Sequence, residues 1–208
     1  MMEIEDSTGI YLVKLARHAA EMWVKGNEKP SPKEPIPDQA KFRTGAFVTV
    51  KTAVGKERHL RGCIGYILGI DTLYKEVIDL AKASTLNDPR FPPVTIDELP
   101  NLVFEVTVMT PPERIEYSSS QNLLEQIVIP GDGLIVKFGR FQGLLLPQVP
   151  IEQGWNTEEF LSHTCRKAYL PMDAWKREKI TVEKFQGIIF SESEPYGEIY
   201  RQELDSSC

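Results

Sequence analysis

Residues 45–67 read GAFVTVKTAVGKERHLRGCIGYI, and this stretch decides the fold. Residues 45–51 are rich in β-branched and aromatic side chains, which favours a strand. A polar loop follows at residues 53–57 with Gly55 at its turn, and residues 59–67 form a second apolar stretch. Two such stretches joined by a short polar loop predict an antiparallel hairpin.

The rest of the chain supplies helices and further hairpins rather than repeated strand–helix–strand units. Helical spacing of apolar residues predicts helices over residues 8–25, 71–86 and 156–168, and a shorter one over 118–126. Apolar and β-rich runs predict strands at 102–109, 127–129, 134–138, 142–146, 180–185 and 187–190. The predicted fold class is therefore α+β, with an antiparallel sheet and flanking helices.

The same patterns divide the chain into a larger domain, a small lobe and a tail. Residues 1–111 and 148–192 are predicted to form the larger α+β domain, and residues 112–147 a smaller β-rich lobe. Residues 193–208 carry an excess of acidic side chains and are predicted to form an acidic C-terminal tail.

Composition excludes several classes of protein. The 208 residues are 41% hydrophobic and 26% charged, which is ordinary globular usage. No apolar run approaches the ~20 residues of a membrane helix, and the acidic N-terminus has no signal-peptide pattern. Three widely spaced cysteines fit a reducing compartment, so we expect a cytoplasmic protein without membrane association. The net charge of −6 disfavours general DNA coating, although residues 51–61 carry a local charge of +3.

Side chains that could take part in binding or catalysis are concentrated in the second predicted strand. In a regular strand, side chains alternate between faces, so His59, Arg61 and Cys63 are predicted to share one face. Leu60 and Ile64 then share the other face, which we assign to the core. The predicted outer face thus carries an imidazole, a guanidinium and a thiol.

The proximity of Arg61 to Cys63 predicts a reactive thiol, because a nearby cation favours the thiolate. Glu105 interrupts a strongly apolar strand and is the expected partner of Arg61, since a buried carboxylate needs a cation or hydrogen-bond donors. Gly62 and Gly65 weaken a strand, so their presence indicates close backbone approach, a bulge or a ligand. The alternative is that Cys63 is a small, unreactive buried residue and that Arg61 only forms a salt bridge.

Three further residues are candidates for ligand binding. Asp88 and Arg90 lie in a proline-stiffened loop that is a candidate lip for the site, and Trp155 precedes a capped helix. The structural alternatives are that Asp88 acts as a cap, that Arg90 forms a salt bridge and that Trp155 anchors the core. The sequence has no CxxC, HxxxH, GxGxxG or Walker-type pattern, so neither a metal site nor a cofactor is predicted. The candidate catalytic residues are thus Cys63, Arg61 and Glu105, and the candidate ligand-binding residues are His59, Arg61, Gly62, Gly65, Asp88, Arg90 and Trp155.

In these residues the chain resembles the AMMECR family, and the resemblance covers roughly residues 10–190. Two residues depart from the family pattern: Tyr66 stands where a small hydroxyl residue is usual, and Tyr169 where glycine is common. The segments that carry the resemblance are Leu60-Arg61-Gly62-Cys63-Ile64-Gly65, Asp88-Pro89-Arg90-Phe91-Pro92-Pro93, Leu99-Pro100, Glu105-Val106, Glu152-Gln153-Gly154-Trp155, Phe160-Leu161 and Cys165-Arg166-Lys167-Ala168.

The resemblance implies a two-lobed α+β fold with the motif residues near a cleft, in a stand-alone member of prokaryotic type. It also implies partners, because family members are often encoded beside or fused to Memo-like proteins and radical-SAM enzymes. We therefore expect a binding or accessory factor in a shared modification pathway, working through an Arg61/Cys63 cleft. The alternative is an enzyme that uses the Cys63 thiol on a small anionic or nucleotide-like substrate. RNA or a nucleotide is a further candidate ligand, and the sequence leaves open whether the chain is an enzyme.

Overall fold

The computed structural model describes residues 4–26, 30–32, 34–177 and 179–202. They form two compact units. The first contains the described residues up to Thr110 and those from Ile188 onward, and the second spans Pro111–Gly187. No helix within these described ranges is long and apolar enough to cross a membrane.

Helices and two sheets make up the described chain, which confirms the predicted α+β class. The helices are α1 (Asp6–Val24), α2 (Leu73–Leu86), α3 (Ser120–Glu125), α4 (Gln148–Gln153), α5 (Thr157–Lys167) and α6 (Ala174–Arg177), with 3-10 turns at Asp38–Lys41 and Ile96–Asn101. The strands are β1 (Ala46–Val54), β2 (Glu57–Tyr66), β3 (Leu102–Met109), β4 (Glu113–Arg114), β5 (Gly133–Phe138), β6 (Phe141–Leu145), β7 (Thr181–Phe185), β8 (Gly187–Glu192) and β9 (Ile199–Gln202).

The first unit is built on a five-stranded sheet with the strand order β2-β1-β3-β8-β9. Helices α1 and α2 pack on one face of it, which we call the inner face, with Leu12, Ala16 and Val77 against Val48 and Phe104. These five side chains are fully buried. Because side chains alternate along a strand, the residues between the inner positions of β1 and β3 point to the opposite, outer face.

A β-bulge interrupts the pairing of β1 with β2 at Arg61. Val50 lies opposite Gly62 and the next residue, Lys51, lies opposite Leu60, so Arg61 has no partner in β1. An extra residue of this kind reverses the faces of all residues on one side of it. Leu60 therefore shares the outer face with Lys51.

The predicted alternation along β2 is consequently wrong on the N-terminal side of the bulge. Cys63 lies opposite Thr49 on the outer face, whereas His59 lies opposite Thr52, on the face of the sheet that faces the helices. Leu60, predicted to lie in the core, is 44% exposed. The imidazole and the thiol therefore do not share a face.

The second unit has its own sheet, with the order β4-β7-β5-β6. Its core is a separate cluster that includes Phe160 and Leu161 of α5, Trp175 of α6 and Val182 of β7. The capped start predicted for α5 is present, since the Asn156 side chain accepts a hydrogen bond from the backbone of the third helical residue.

Three predicted boundaries differ from the structure. Residues 148–187 belong to the compact unit of the predicted lobe rather than to the larger domain, because β7 pairs with β5 along five residues. Residues 127–129 form no strand, and β7 and β4 complete the sheet instead. Residues 199–202 of the predicted tail form β9, paired with β8, while residues 203–208 lie outside the described residues.

Substitution of Gly62 by alanine tests how closely β2 packs on α2. A Cβ atom at this position lies 2.0 Å from the backbone oxygen of Ser84, so Gly62→Ala forces the strand away from the helix. Overpacking of this kind costs about 1–3 kcal/mol, and we expect that loss in the free energy of unfolding measured with urea. Leu60→Ala, at an exposed position of the same strand, is the control; equal midpoints for the two variants contradict the close approach.

Candidate functional site

Three side chains from adjacent strands form a row on the outer face. Cys63 lies opposite Thr49, and Thr49 lies opposite Glu105, so the three are neighbours at the strand spacing of ~4.8 Å. The Thr49 hydroxyl donates to Cys63 Sγ at 3.2 Å, and Lys51 Nζ donates to Glu105 Oε2 at 2.7 Å. We call these four residues, together with Leu60, the Cys63 face.

Glu105 is paired, but with a different cation from the one predicted. It is 7% exposed, and its carboxylate accepts from Lys51 rather than from Arg61. Lys51 lies on the neighbouring strand and on the same face, two residues from the position directly opposite Glu105, which is a favourable diagonal arrangement for an ion pair. The predicted Arg61–Glu105 pair is therefore wrong, although the prediction that Glu105 needs a cation is met.

Arg61 is bound instead by Glu98, which lies 37 residues further along the chain. Its Nε donates to Glu98 Oε1 at 2.7 Å, its Nη2 donates to Oε2 at 3.2 Å, and its Nη1 donates to the carbonyl of Pro92. The hydrogen bond from Arg61 lowers the pKa of Glu98 to about 2, with further support from Thr95. Each nitrogen of the guanidinium thus donates one hydrogen bond, to a carboxylate or to a carbonyl.

Asp88 and Arg90 hold the backbone of Cys63. β2 is an edge strand, and the Cys63 N–H donates to Asp88 Oδ2 at 2.8 Å, while its carbonyl accepts from Arg90 Nη2 at 3.0 Å. Arg90 also donates to both oxygens of Asp88. The hydrogen bond from Arg90 is the main reason that the pKa of the buried Asp88 carboxyl lies well below its usual range. The predicted lip is therefore a clamp on the edge strand.

The two glycines of the motif serve packing. Gly62 lies against the Ser84 carbonyl of α2, and a side chain at Gly65 would overlap the ring of Phe47, which lies directly opposite on β1. Both positions confirm the close approach that the sequence predicts, and the approaching groups belong to the protein itself.

His59 and Trp155 have other neighbours than those predicted. His59 Nε2 lies 3.1 Å from the Glu57 carboxylate, and its side chain is largely exposed. Trp155 belongs to the second unit, where its ring stacks on His163 with 3.9 Å between the ring centroids. Neither residue is part of the Cys63 face.

Sequence reasoning missed Thr49, Lys51 and Glu98. The sequence does hold a signal for Glu98, because Thr95 and Glu98 have the spacing of a capping box. The structure contains that box, and it places the Glu98 carboxylate within reach of Arg61. Thr49 and Lys51 have no local signal, because their roles depend on the register of three strands.

The structure describes two of the three cysteines, Cys63 and Cys165, and these two differ in burial. Cys165 is fully buried, and burial raises the pKa of its thiol to about 11. Cys63 is half-buried, with the Thr49 hydroxyl as its neighbour. Among the described residues, no group of three or more His, Cys, Asp or Glu side chains is placed to hold a metal ion.

Comparison with known proteins assigns the chain to a family. The AMMECR1 family profile matches residues 13–190, which include every segment of the Cys63 face and the clamp. The chain belongs to the AMMECR1 family. The predicted resemblance is thereby confirmed.

The relatives of this AMMECR1 protein carry no assigned activity in their names. Protein PYRAB00100 of Pyrococcus abyssi is 44% identical over 205 residues, covering 98% of this chain and 100% of the relative. Protein MJ0810 of Methanocaldococcus jannaschii is 42% identical over 196 residues, covering 94% and 96%. The crystal structure of the uncharacterised protein PH0010 from Pyrococcus horikoshii has a TM-score of 0.80 and 44% identity, covering 98% of this chain and 100% of that chain.

The structure shows the backbone conformation or exposure of the two residues that depart from the family pattern, Tyr169 and Tyr66. Tyr169 has φ +61°, in the left-handed region that favours glycine, and is 87% exposed. Tyr66 is 48% exposed at the end of β2.

The clamp that Asp88 and Arg90 form on the Cys63 backbone predicts that the folding stability of the protein depends on pH. Asp88→Asn removes charge-assisted hydrogen bonds, and we expect the free energy of unfolding at neutral pH to fall by about 1.5–3 kcal/mol. Because the pKa of Asp88 is lower in the folded state, its contribution is present above the unfolded pKa of about 3.9 and is lost as the pH falls below it.

Urea unfolding between about pH 5 and pH 2.5 measures this contribution. The difference between the native protein and Asp88→Asn should shrink across that range. Asp97→Asn, which changes an exposed carboxylate in the neighbouring 3-10 turn, should run parallel to the native protein. A constant difference for Asp88→Asn contradicts the clamp.

Proposed function

We propose that this AMMECR1-family protein is a binding or accessory factor in a modification pathway with Memo-like and radical-SAM proteins, and that it contacts them through the Cys63 face. The observation that carries the proposal is the engagement of Arg61 by Glu98, which removes that guanidinium from the thiol. The partners are those that the family resemblance implies.

The neighbours of the thiol do not favour nucleophilic catalysis. An activated thiol needs a base within hydrogen-bond reach and a third group that orients the base. His59 lies on the other side of the sheet beside Glu57, and Glu105 is held by Lys51. The Cys63 sulfur instead receives a hydrogen bond from the neutral Thr49 hydroxyl.

Exposure along β2 favours contact through side chains. Leu60 is 44% exposed and Cys63 is half-buried, so these two side chains of the Cys63 face are open to contact, whereas Thr49 and Glu105 are buried. Strand addition is disfavoured at this point of the edge, because Asp88 and Arg90 already bind the N–H and carbonyl of Cys63. The predicted cleft between domains stays a prediction.

Arg90 supports the second candidate, an enzyme with Cys63 as its reactive thiol and a small anionic or nucleotide-like substrate. Its side chain is 53% exposed, and its pKa is raised first by Asp88 and to a lesser extent by the charge of Cys63. A half-exposed guanidinium close to a thiol is able to bind an anion there. Binding of RNA has less support, because Lys51 and Arg61 are both paired with carboxylates.

Partner binding tests the proposal directly. We expect purified Memo-like or radical-SAM protein from the same genome to bind the full chain in isothermal titration calorimetry, and Leu60→Asp to weaken that binding at least about ten-fold by placing a charge in the contact. Tyr200→Asp is the matched control, since Tyr200 is similarly exposed on the opposite edge strand. Absence of binding for both proteins, or equal losses for the two variants, refutes the proposed surface.

Thiol reactivity separates the two candidates. In a Cys208→Ser background, iodoacetamide should modify Cys63 and spare the buried Cys165. Since Arg61 is engaged elsewhere, Arg61→Gln and the control Arg58→Gln should each leave the rate for Cys63 within about two-fold of the starting protein. A fall of about ten-fold or more in folded Arg61→Gln, verified by near-ultraviolet circular dichroism, favours the enzyme.

A further inference from the structure

Three exposed aromatic side chains lie at one end of the second unit. Phe138 and Phe141 are each 39% exposed and lie directly opposite one another where the β5–β6 hairpin turns. Tyr169 comes just after the C-terminal end of α5 and is 87% exposed. Single exposed apolar residues are ordinary on a protein surface, whereas a group of exposed aromatic rings is typical of a surface that binds another molecule.

Contact between the hairpin and the end of α5 brings the three rings to one surface. A side chain at Gly143 would meet the backbone nitrogen of Ala168 at 2.2 Å, so the end of α5 covers this face of β6. Side chains two residues apart share a face of a strand, which places Phe141 on the same face about 6.6 Å along β6 from Gly143. Phe138 shares that face as its direct partner, and Tyr169 is the residue that follows Ala168.

Tyr169 occupies its position at an energetic cost. Its φ is +61°, in the left-handed region where a side chain is strained and glycine is not. This backbone conformation ends α5, since the N–H of Leu170 donates to the carbonyl of Cys165 at 3.0 Å, and glycine is the usual residue in such a cap. A ring that is 87% exposed gains little packing energy in return. Packing therefore does not explain the tyrosine, whereas a ligand that stacks on its ring does.

Three cations accompany the rings. Arg166 and Lys167 end α5, and Arg140 lies in the hairpin turn with its guanidinium carbon 5.3 Å from the centroid of the Phe141 ring. All three are exposed, and no carboxylate among the described residues forms a salt bridge with them. The dipole of α5 explains the two cations at its end but not the one in the turn. We call the surface made of these three cations and the three rings the aromatic tip.

We propose that the aromatic tip binds single-stranded nucleic acid, with bases stacked on the rings and backbone phosphates at the cations. Proteins that bind single strands without reading their sequence combine these two contributions. A carboxylate-rich peptide would pair with the cations but would leave the rings without a flat partner. The tip differs from the Cys63 face, where Lys51 is already paired with Glu105, and it is independent of the partners proposed for that face.

Fluorescence anisotropy of the full chain with labelled oligouridine and oligodeoxythymidine of about 12 nucleotides tests the proposal, since single-strand sites span ~4–16 nucleotides. We expect saturable binding, and the strand that binds more tightly identifies RNA or DNA as the source. Three phosphate contacts predict a slope of log K against log salt concentration of about −2, which is a roughly 20-fold loss between about 50 and 200 mM salt. A duplex of the same length should bind at least about five-fold more weakly, because its bases are not free to stack on the rings.

Tyr169→Gly separates binding from folding. Loss of one stacked base should weaken the affinity about five-fold or more, whereas relief of the positive φ should raise the urea midpoint of unfolding. Tyr196→Gly is the matched control, since Tyr196 also has φ +61° but belongs to the first unit, and it should leave the affinity unchanged. Arg166→Gln should make the salt slope shallower by about 0.7, while Arg114→Gln, which changes a cation paired with Glu116, should not.

Four results overturn the proposal. They are no saturable binding of either strand at low salt, equal affinity for single strand and duplex, equal affinity of Tyr169→Gly and Tyr196→Gly for the strand, and displacement of the strand by polyglutamate as readily as by unlabelled strand. The last result means that charge alone attracts the probe. None of them bears on the loss of partner binding expected for Leu60→Asp, so failure of the tip and failure of the Cys63 face are distinguishable.

Discussion

The carboxylate of Asp88 is the group on which the geometry around Cys63 depends. It accepts from the Cys63 backbone and from the backbone and side chain of Arg90, and Arg90 in turn donates to the Cys63 carbonyl. A buried carboxylate is costly without such partners, and an edge strand with free N–H and carbonyl groups is prone to pair with other chains. One loop satisfies both needs, and it thereby fixes the strand segment that carries the thiol.

The bulge at Arg61 determines what the thiol meets. In a regular strand the guanidinium, the imidazole and the sulfur would share one face. With the extra residue, Arg61 reaches Glu98 and the Pro92 carbonyl, and His59 falls on the other side of the sheet. The sulfur is left with a hydroxyl beside it and an exposed Leu60 on the same face. A one-residue irregularity thus separates the imidazole and the guanidinium from the thiol.

The sequence predicts those features that depend on local pattern. The strand at 102–109 is found with the predicted bounds, and the helices α1, α2 and α5 lie within one to two residues of their predicted ends. The close backbone approach at Gly62 and Gly65 also follows from the cost of glycine in a strand. Pairings between distant segments carry no such signal. Strand β7 pairs with β5, from which it is separated in sequence by α4, α5 and α6, and Arg61 pairs with Glu98 and not with the carboxylate of Glu105. Both depend on tertiary geometry, and a family resemblance specifies the residues but not their pairings.

Strand β3 has alternate side chains on the two faces of the sheet of the first unit. Its residue Phe104 faces inward, where its ring lies against Arg17 and its N–H donates to Glu192 at 2.8 Å. The next residue, Glu105, faces outward and joins the row that ends at Cys63. Two arginines are held by carboxylates from distant segments of the chain. Arg61 donates to Glu98 and to the Pro92 carbonyl, and the buried Arg17 donates to Glu192 and to the Leu102 carbonyl, so both guanidinium groups join distant segments of the first unit.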